Sequence, residues 1–425
     1  MGFQQALSGV NAASQQLSVI GNNVANASTV GFKGSRAEFA DMYANGFSSG
    51  AATNQAGIGV QVAGVTQGFN TANITSTGRN LDLAINGNGF FIVKNPTGGT
   101  TANSTGSISY TRAGQFQQDK NGYIVNGTDR LQGWMANANG VITPGPVSDL
   151  MLSTAQQPPQ ATSNVALSVN LNSASTAPLL APPPAAPASP PLNPANSNTY
   201  NYTSSTNVYD SLGNTHTLNY YYVKDPVVAN QWTVSVFADG GAAPIAPAQT
   251  ITFNNNGTLA TPTTPFTVAV PSATGSAAPF NVAIDLTGTT QFASQNAIVT
   301  NQGDGYPPGQ LTNFAFDKNG VLTANYSNGQ TKTVGQLALA TFANPQGLQQ
   351  QGGNRWVEAS DSGSPAVNKP GASNAGLITA SALEDSNVDL TSQLVDMITA
   401  QRYYQANAQT IKTEDQVMQT LINLR

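Results

Sequence analysis

The chain has 425 residues, enough for two to four domains, yet only 8% of them are charged, against the quarter usual in soluble proteins. A net charge of −5 with no basic field excludes nucleic acid as a partner, and the absence of cysteine excludes disulfide staples and thiolate metal sites. No run approaches the roughly 18 apolar residues of a membrane span, so membrane insertion is not expected.

Residues 1–30 lack a basic segment followed by a continuous apolar one, so no cleavable signal peptide is expected. Residues 1–27 read instead as a helix with a narrow apolar seam. Phe3, Val10, Leu17 and Val24 recur every seven residues, and Ala6, Ala13, Ile20 and Ala27 follow three residues after each. That is an a/d pattern, bordered by Leu7, with an uncharged polar face opposite.

The seam runs into GNNVANASTVGFK, Gly21 to Lys33. Asn22, Asn23 and Asn26 are poor helix-interior residues because their short amides compete for backbone hydrogen bonds. The stretch reads as a joint: amides serve the groups freed where the helix stops, and Gly31-Phe32 turns the chain outward with Phe32 as an anchor. Lys33 is the first charged side chain.

From here the pattern is β. Asn-Gly occurs nine times, for example at Asn86-Gly87, Asn121-Gly122, Asn126-Gly127, Asn256-Gly257, Asn319-Gly320 and Asn328-Gly329. Between alternating apolar residues it is the strongest short hairpin signal. Asp-Lys-Asn-Gly appears twice, at 119–122 and 317–320, each after a Phe-containing strand. Residues 31–70 and 370–385 read as linkers, 71–149 and 309–369 as an inner β domain, and 150–308 as an inserted outer β domain. Strands are expected within the insert at Thr217–Lys224 and Gln231–Phe237. The stretch 178–194 holds eight prolines and reads as an extended surface loop, dispensable for any assembly.

The C-terminus answers the N-terminus. Leu383, Leu390, Met397, Tyr404, Ile411 and Met418 recur every seven residues, joined by Leu394, Ala408, Leu421 and Ile422. A helix over about 388–424 is expected, with Ser386 and Asp389 as an imperfect capping box. Neither terminal helix has a core of its own, so each calls for a partner helix, either the other end or a neighbouring copy. The fold class is therefore mainly β outer domains, sandwich- or barrel-like, on a coiled-coil-like pair of terminal helices, with domains nested from both ends.

Catalytic signals are thin. His216 is the only histidine, which excludes the usual zinc sites and His-based triads. The only glutamates are Glu38, Glu358, Glu384 and Glu414. Gly57-Ile58-Gly59 lacks the third glycine of a dinucleotide fingerprint and leads into a strand-like run. Asp304 and the Asp-Lys-Asn-Gly turns lack a calcium-loop ligand series. No enzyme activity, cofactor or metal is expected.

Leu17–Asn26 with Val30–Lys33 closely resembles the N-terminal signature of the bacterial flagellar rod and hook protein family. Leu383–Leu390, then Met397-Ile398, Gln401 and Tyr404–Asn407, is similar to its C-terminal signature, and Leu81–Phe91 to its first β segment. Val208–Gly213 through Tyr222, Gly335–Ala340, Phe342–Leu348 and Asn354–Trp356 resemble the hook members in particular. The resemblance implies a tubular homopolymer that couples rod to filament as a bendable universal joint. It implies self-assembly through the seam, namely Phe3, Leu7, Val10, Leu17, Ile20, Val24, Leu390, Leu394, Met397, Tyr404, Ile411, Met418 and Leu421. It also implies contacts with a distal rod protein, a hook cap protein and a hook–filament junction protein, and export through the flagellar type III apparatus. The alternatives are a distal rod protein of the same family, or a surface glycan-binding or hydrolase module.

Overall fold

The computed structural model describes residues 2–42, 57–96, 106–178, 191–272 and 279–423; most of the proline-rich stretch, 179–190, lies outside them, as does the Leu421 side chain. The chain forms two compact units. One comprises Met1–Thr154, Asn313–Asn325 and Thr331–Arg425, the other Ala155–Thr312 and Tyr326–Gln330.

In the first unit, helix α1 (Gly2–Ala25) lies against helix α2 (Leu390–Asn423). Gly2 abuts Glu414, Gly9 abuts Asn407, and Asn23 hydrogen-bonds Gln393, equal steps in opposite directions that make the pair antiparallel. Glycine lets the backbones approach: a methyl on Gly9 would stand 2.7 Å from the Asn407 amide nitrogen. The buried residues of α1 are mostly small, Ala6, Ala13, Ile20 and Asn23, and the buried apolar residue among the described side chains of α2 is Ala400.

The helix ends are closed by side chains. Asn26 Nδ2 donates to the Asn22 carbonyl at 2.9 Å where α1 stops. At the start of α2, Asp389 Oδ1 accepts from the Thr391 and Ser392 amides at 2.9 and 3.2 Å. Asp389 is therefore the N-cap itself, and the expected Ser386/Asp389 box does not form. Ser386 instead closes a local turn by accepting from Val388 N, because the helix begins at Leu390, two residues after the expected start at 388.

An antiparallel ribbon, Ser35–Met42 with Gly59–Gln67, lies along α1, where Gln5 Nε2 donates to Gly57 O and Val60 N to Ser8 Oγ. The body of this unit is a 13-stranded sheet with Asp129–Met135, Phe90–Lys94 and Ile108–Thr111 at its centre. The run Phe90–Val93 is continuously apolar because both faces are covered. Phe90 and Ile92 join Tyr110, Trp134 and Trp356 on one face, with Phe90 edge-on to Trp356 at 5.6 Å. Phe91 meets Phe116 edge-on at 5.2 Å.

Asn-Gly turns at 121–122, 126–127, 256–257, 319–320 and 328–329 join neighbouring strands, with glycine φ between +64° and +88°. The repeated Asp-Lys-Asn-Gly makes one turn twice. Asp119 Oδ1 accepts from Asn121 N and Tyr123 N at 2.9 and 2.8 Å, and Asp317 Oδ1 from Asn319 N and Val321 N at the same distances. Asn86-Gly87 departs from the hairpin expectation. Leu83–Asn86 pairs with Leu377–Ala380, whereas Phe90–Lys94 belongs to the large sheet. Gly87 has φ +116°, outside the left-handed helical well of a two-residue hairpin, so the chain passes from one sheet to another.

The second unit is an open two-sheet sandwich. Tyr202–Tyr209, Thr215–Lys224, Gln231–Ala238, Gln249–Phe253 and Leu259–Thr261 form an antiparallel meander. The other sheet runs Phe266–Val270, Phe280–Asp285, Asn164–Asn170, Ala297–Gly303. Alternate residues of both, such as Leu218, Tyr220 and Tyr222 with Val165, Leu167 and Val169, fill one core around Trp232. His216 lies buried, its Nδ1 2.7 Å from Asp239 Oδ2 and its Nε2 3.7 Å from Asp210 Oδ2, tying the ends of meander strands together.

Burial raises several tyrosine phenols, and Tyr110, Tyr220 and Tyr222 are shifted most and should titrate late. Burial pushes the Tyr220 and Tyr222 phenols far above the ordinary value of 10.0. Burial, with Glu358 adding to it, pushes Tyr110 up to about 12. A raised folded value means the neutral phenol contributes stability that is complete below pH 10 and lost as pH rises through about 12. In an absorbance titration these phenolates should appear together with loss of the β circular dichroism signal. Smooth ionisation near pH 10 with the β signal intact would contradict this placement.

Candidate functional site

Two segments leave the terminal helices side by side and are stitched to each other. Gly31 N donates to Glu384 O at 2.8 Å, and Asn387 N to Phe32 O at 3.4 Å. Asn23 holds both polar groups of Ser35: its Nδ2 donates to Ser35 O at 2.7 Å and its Oδ1 accepts from Ser35 N at 2.9 Å. The same Nδ2 reaches Gln393 Oε1 on α2 at 2.9 Å. From the other end, Asn387 Oδ1 accepts from Gly34 N at 2.7 Å while its Nδ2 donates to Gly68 O at 2.6 Å. A primary amide carries a donor and an acceptor on one short, planar group, which makes Asn suited to gripping backbone in this way.

Beneath the stitching lies a buried ion cluster. Lys33 Nζ sits 2.7 Å from Glu384 Oε1, and Arg112 Nη1 3.1 Å from Glu384 Oε2, with all three side chains 0–2% exposed. Lys33 also donates to Asn70 O at 2.6 Å, Arg112 Nη2 to Gly87 O at 2.8 Å, and Ala72 N to Glu384 Oε1 at 2.9 Å. Burial holds Lys33 and Arg112 below their usual ranges, and Glu384 opposes the shift in each. Arg112 also lies over the Phe90 ring, 5.4 Å from its centroid.

Gly31 makes the closest approach. Its φ is +68°, and a Cβ there would stand 2.6 Å from both Ala113 N and Arg112 C. Phe32 is half-buried, and the fully enclosed residue of the turn is its neighbour Lys33. Asn22 is exposed and takes part through its carbonyl, which accepts from the Asn26 side chain and backbone. The sequence did not single out Arg112, and it placed Glu384 and Asn387 within the signature Leu383–Leu390 without giving either a role. The available signal was scarcity, since three charges meeting at one point are conspicuous in a chain this poor in them.

The expected seam divides in two. Ile20 is buried, and Val10, Leu17, Val24, Met397 and Ile411 are half-buried. Phe3, Leu7, Leu390, Leu394, Tyr404 and Met418 remain exposed, from 40% at Leu7 to 58% at Met418. The helices thus meet through their small residues and leave large apolar side chains outside. Among the described residues, no group of three His, Cys, Asp or Glu could hold a metal ion, and no helix is long and apolar enough to cross a membrane.

Paired terminal helices lead into β structure through an Asn-clamped crossing, and family models of axial proteins of the bacterial flagellum match along the chain. "Flagella basal body rod protein" matches residues 3–33 and "Flagellar basal body rod FlgEFG protein C-terminal" residues 379–424. "Flagellar hook protein FlgE/F/G D1 domain" matches 84–133 and "Flagellar basal body protein FlaE D2 domain" 170–306. The chain is 39% identical to the flagellar hook protein FlgE of Salmonella typhimurium over 437 residues, covering 100% of both chains. It is 33% identical to that of Treponema pallidum, covering 99% of this chain and 98% of the relative. It therefore belongs to the flagellar hook protein FlgE family, structural subunits that self-assemble in the flagellar axis. The crystal structure of Helicobacter pylori flagellar hook protein FlgE2 shares the fold, with a TM-score of 0.51 at 16% identity over 73% of this chain and 100% of that one.

Proposed function

We propose that the chain polymerises into the tubular wall of the hook, with its terminal helices lining the inside and its β units outside. The seam carries assembly, the Asn-clamped joint ties the two regions together, and bending comes from outer units sliding past one another. The observation that supports this most is that Phe3 and Leu7 on α1 and Leu390, Leu394 and Met418 on α2 stay exposed after the helices have paired. Such exposed apolar side chains are costly in water and are covered by the same helices of neighbouring copies in a polymer. Family membership supports a distal rod protein at one end, a hook–filament junction protein at the other, a hook cap protein during growth, and delivery through the flagellar type III export apparatus. The two-sheet unit inserted at 155–312 favours a hook subunit over a distal rod subunit.

The test is to concentrate the purified full chain and image it in negative stain. Tubes with a central channel are the expected result. Discrete particles at every concentration and salt condition would refute the reading.

A further inference from the structure

Asn-Gly is a reactive pair as well as a turn former. Glycine has no side chain in the way, so its amide nitrogen can reach the asparagine Cγ, and the nine pairs of this chain differ in whether the fold allows that. In five of them, at Asn121, Asn139, Asn256, Asn319 and Asn328, the glycine N–H donates to a backbone carbonyl at 2.9 to 3.0 Å, which fixes the nitrogen within its turn. At Asn126 the side chain is tied instead, its Nδ2 donating to Ala113 O at 2.7 Å. Asn86 is held extended by pairing with Leu377, and Asn45 lies outside the described residues.

Asn88-Gly89 has none of these restraints. It lies in the short passage between strands Leu83–Asn86 and Phe90–Lys94, with Asn88 exposed. Among the described residues, neither the Asn88 side chain nor the Gly89 N–H has a hydrogen-bond partner. Gly89 is itself buried, which makes its unpaired amide a high-energy group. The Asn88 carbonyl accepts from Gly376 N at 2.7 Å, and that bond polarises the same peptide and loosens its hold on the Gly89 proton.

We propose that Asn88 is a site of self-modification by deamidation. The Gly89 nitrogen loses its proton to water and attacks Asn88 Cγ. The new N–C bond closes a five-membered succinimide as the Cγ–Nδ2 bond breaks and ammonia leaves. Water then opens the ring at either carbonyl, giving aspartate or, with the main chain rerouted through Cγ, isoaspartate. Each product adds a negative charge, and isoaspartate also lengthens the passage between the two sheets by one bond. The product accumulates with the age of the chain, whatever the chain assembles into.

The purified full chain, kept warm at neutral pH and sampled over weeks, is digested and read by tandem mass spectrometry for the mass change from amide to acid. Asn88 should convert at least about tenfold faster than Asn121, Asn139 and Asn256 in the folded chain, and at a similar rate to them in denaturant. Conversion at Asn88 no faster than at those turns in the folded chain would overturn the proposal. An equal excess in denaturant would also overturn it, since the preference would then belong to local sequence and not to the fold. In Asn88→Gln the excess should vanish, because a glutamine would have to close a less favourable six-membered ring. Its persistence in the same peptide would make Asn86 the reacting residue and sink the assignment.

Discussion

A chain carrying Leu394→Asp should fold as the parent does and fail to form tubes. Leu394 is 45% exposed on α2, so the monomer loses little, and an acidic side chain near a helix N-terminus suits the macrodipole. In the polymer proposed above the same position faces a neighbouring copy. Loss of a leucine's remaining burial costs about 1 kcal/mol, and enclosing an unpaired carboxylate costs several more. A penalty of about 4 kcal/mol per contact raises the concentration needed for assembly roughly 1000-fold. Circular dichroism should overlay on the parent while sedimentation shows only monomer. Tubes at the parental concentration would show that the outward apolar row is not the assembly surface.

Gly31→Ala should weaken the first unit by about 3 kcal/mol and leave the second untouched. A non-glycine residue at φ +68° costs about 1–2 kcal/mol. The added methyl also meets the backbone of Arg112 and Ala113 at 2.6 Å, where no flexible side chain can give way, adding about 1–3 kcal/mol of overpacking. The three tryptophans separate the units, since Trp134 and Trp356 lie in the first and Trp232 in the second. Denaturation followed by single-tryptophan fluorescence should shift for Trp356 and not for Trp232. A shift below about 1 kcal/mol would mean the joint relaxes around the methyl.

The elements that rest on local chemistry were legible in the sequence. Asn-Gly turns announce themselves because glycine alone adopts positive φ cheaply, and five of the quoted six join neighbouring strands. Asn86-Gly87 misled because the dipeptide reports a reversal of the chain and not which strands will pair. The seven-residue repeats located both terminal helices, with α1 ending at Ala25 and α2 starting at Leu390. They did not reveal which row faces the mate helix. That choice fell to Ala6, Ala13 and the glycines, because close approach of backbones outweighs burial of larger side chains that a third partner can cover. The asparagines of the joint were visible as anomalies, but the acceptors of Asn23 lie on Ser35 and Gln393 and no spacing rule connects them. The ion cluster was least legible, since Lys33, Arg112 and Glu384 become neighbours only once the sheet and both ends are in place.

The side-by-side crossing has a mechanical meaning. An object hung from one covalent strand can swivel freely about single bonds. Here two strands leave the helices together, and Asn23 and Asn387 rivet them to Ser35, Gly34 and Gly68. Twisting the helices against the body then loads the two strands as a force couple and must shear several hydrogen bonds at once, whereas tilting asks only for small rotations shared along both. Such a joint is expected to resist spin more than lean.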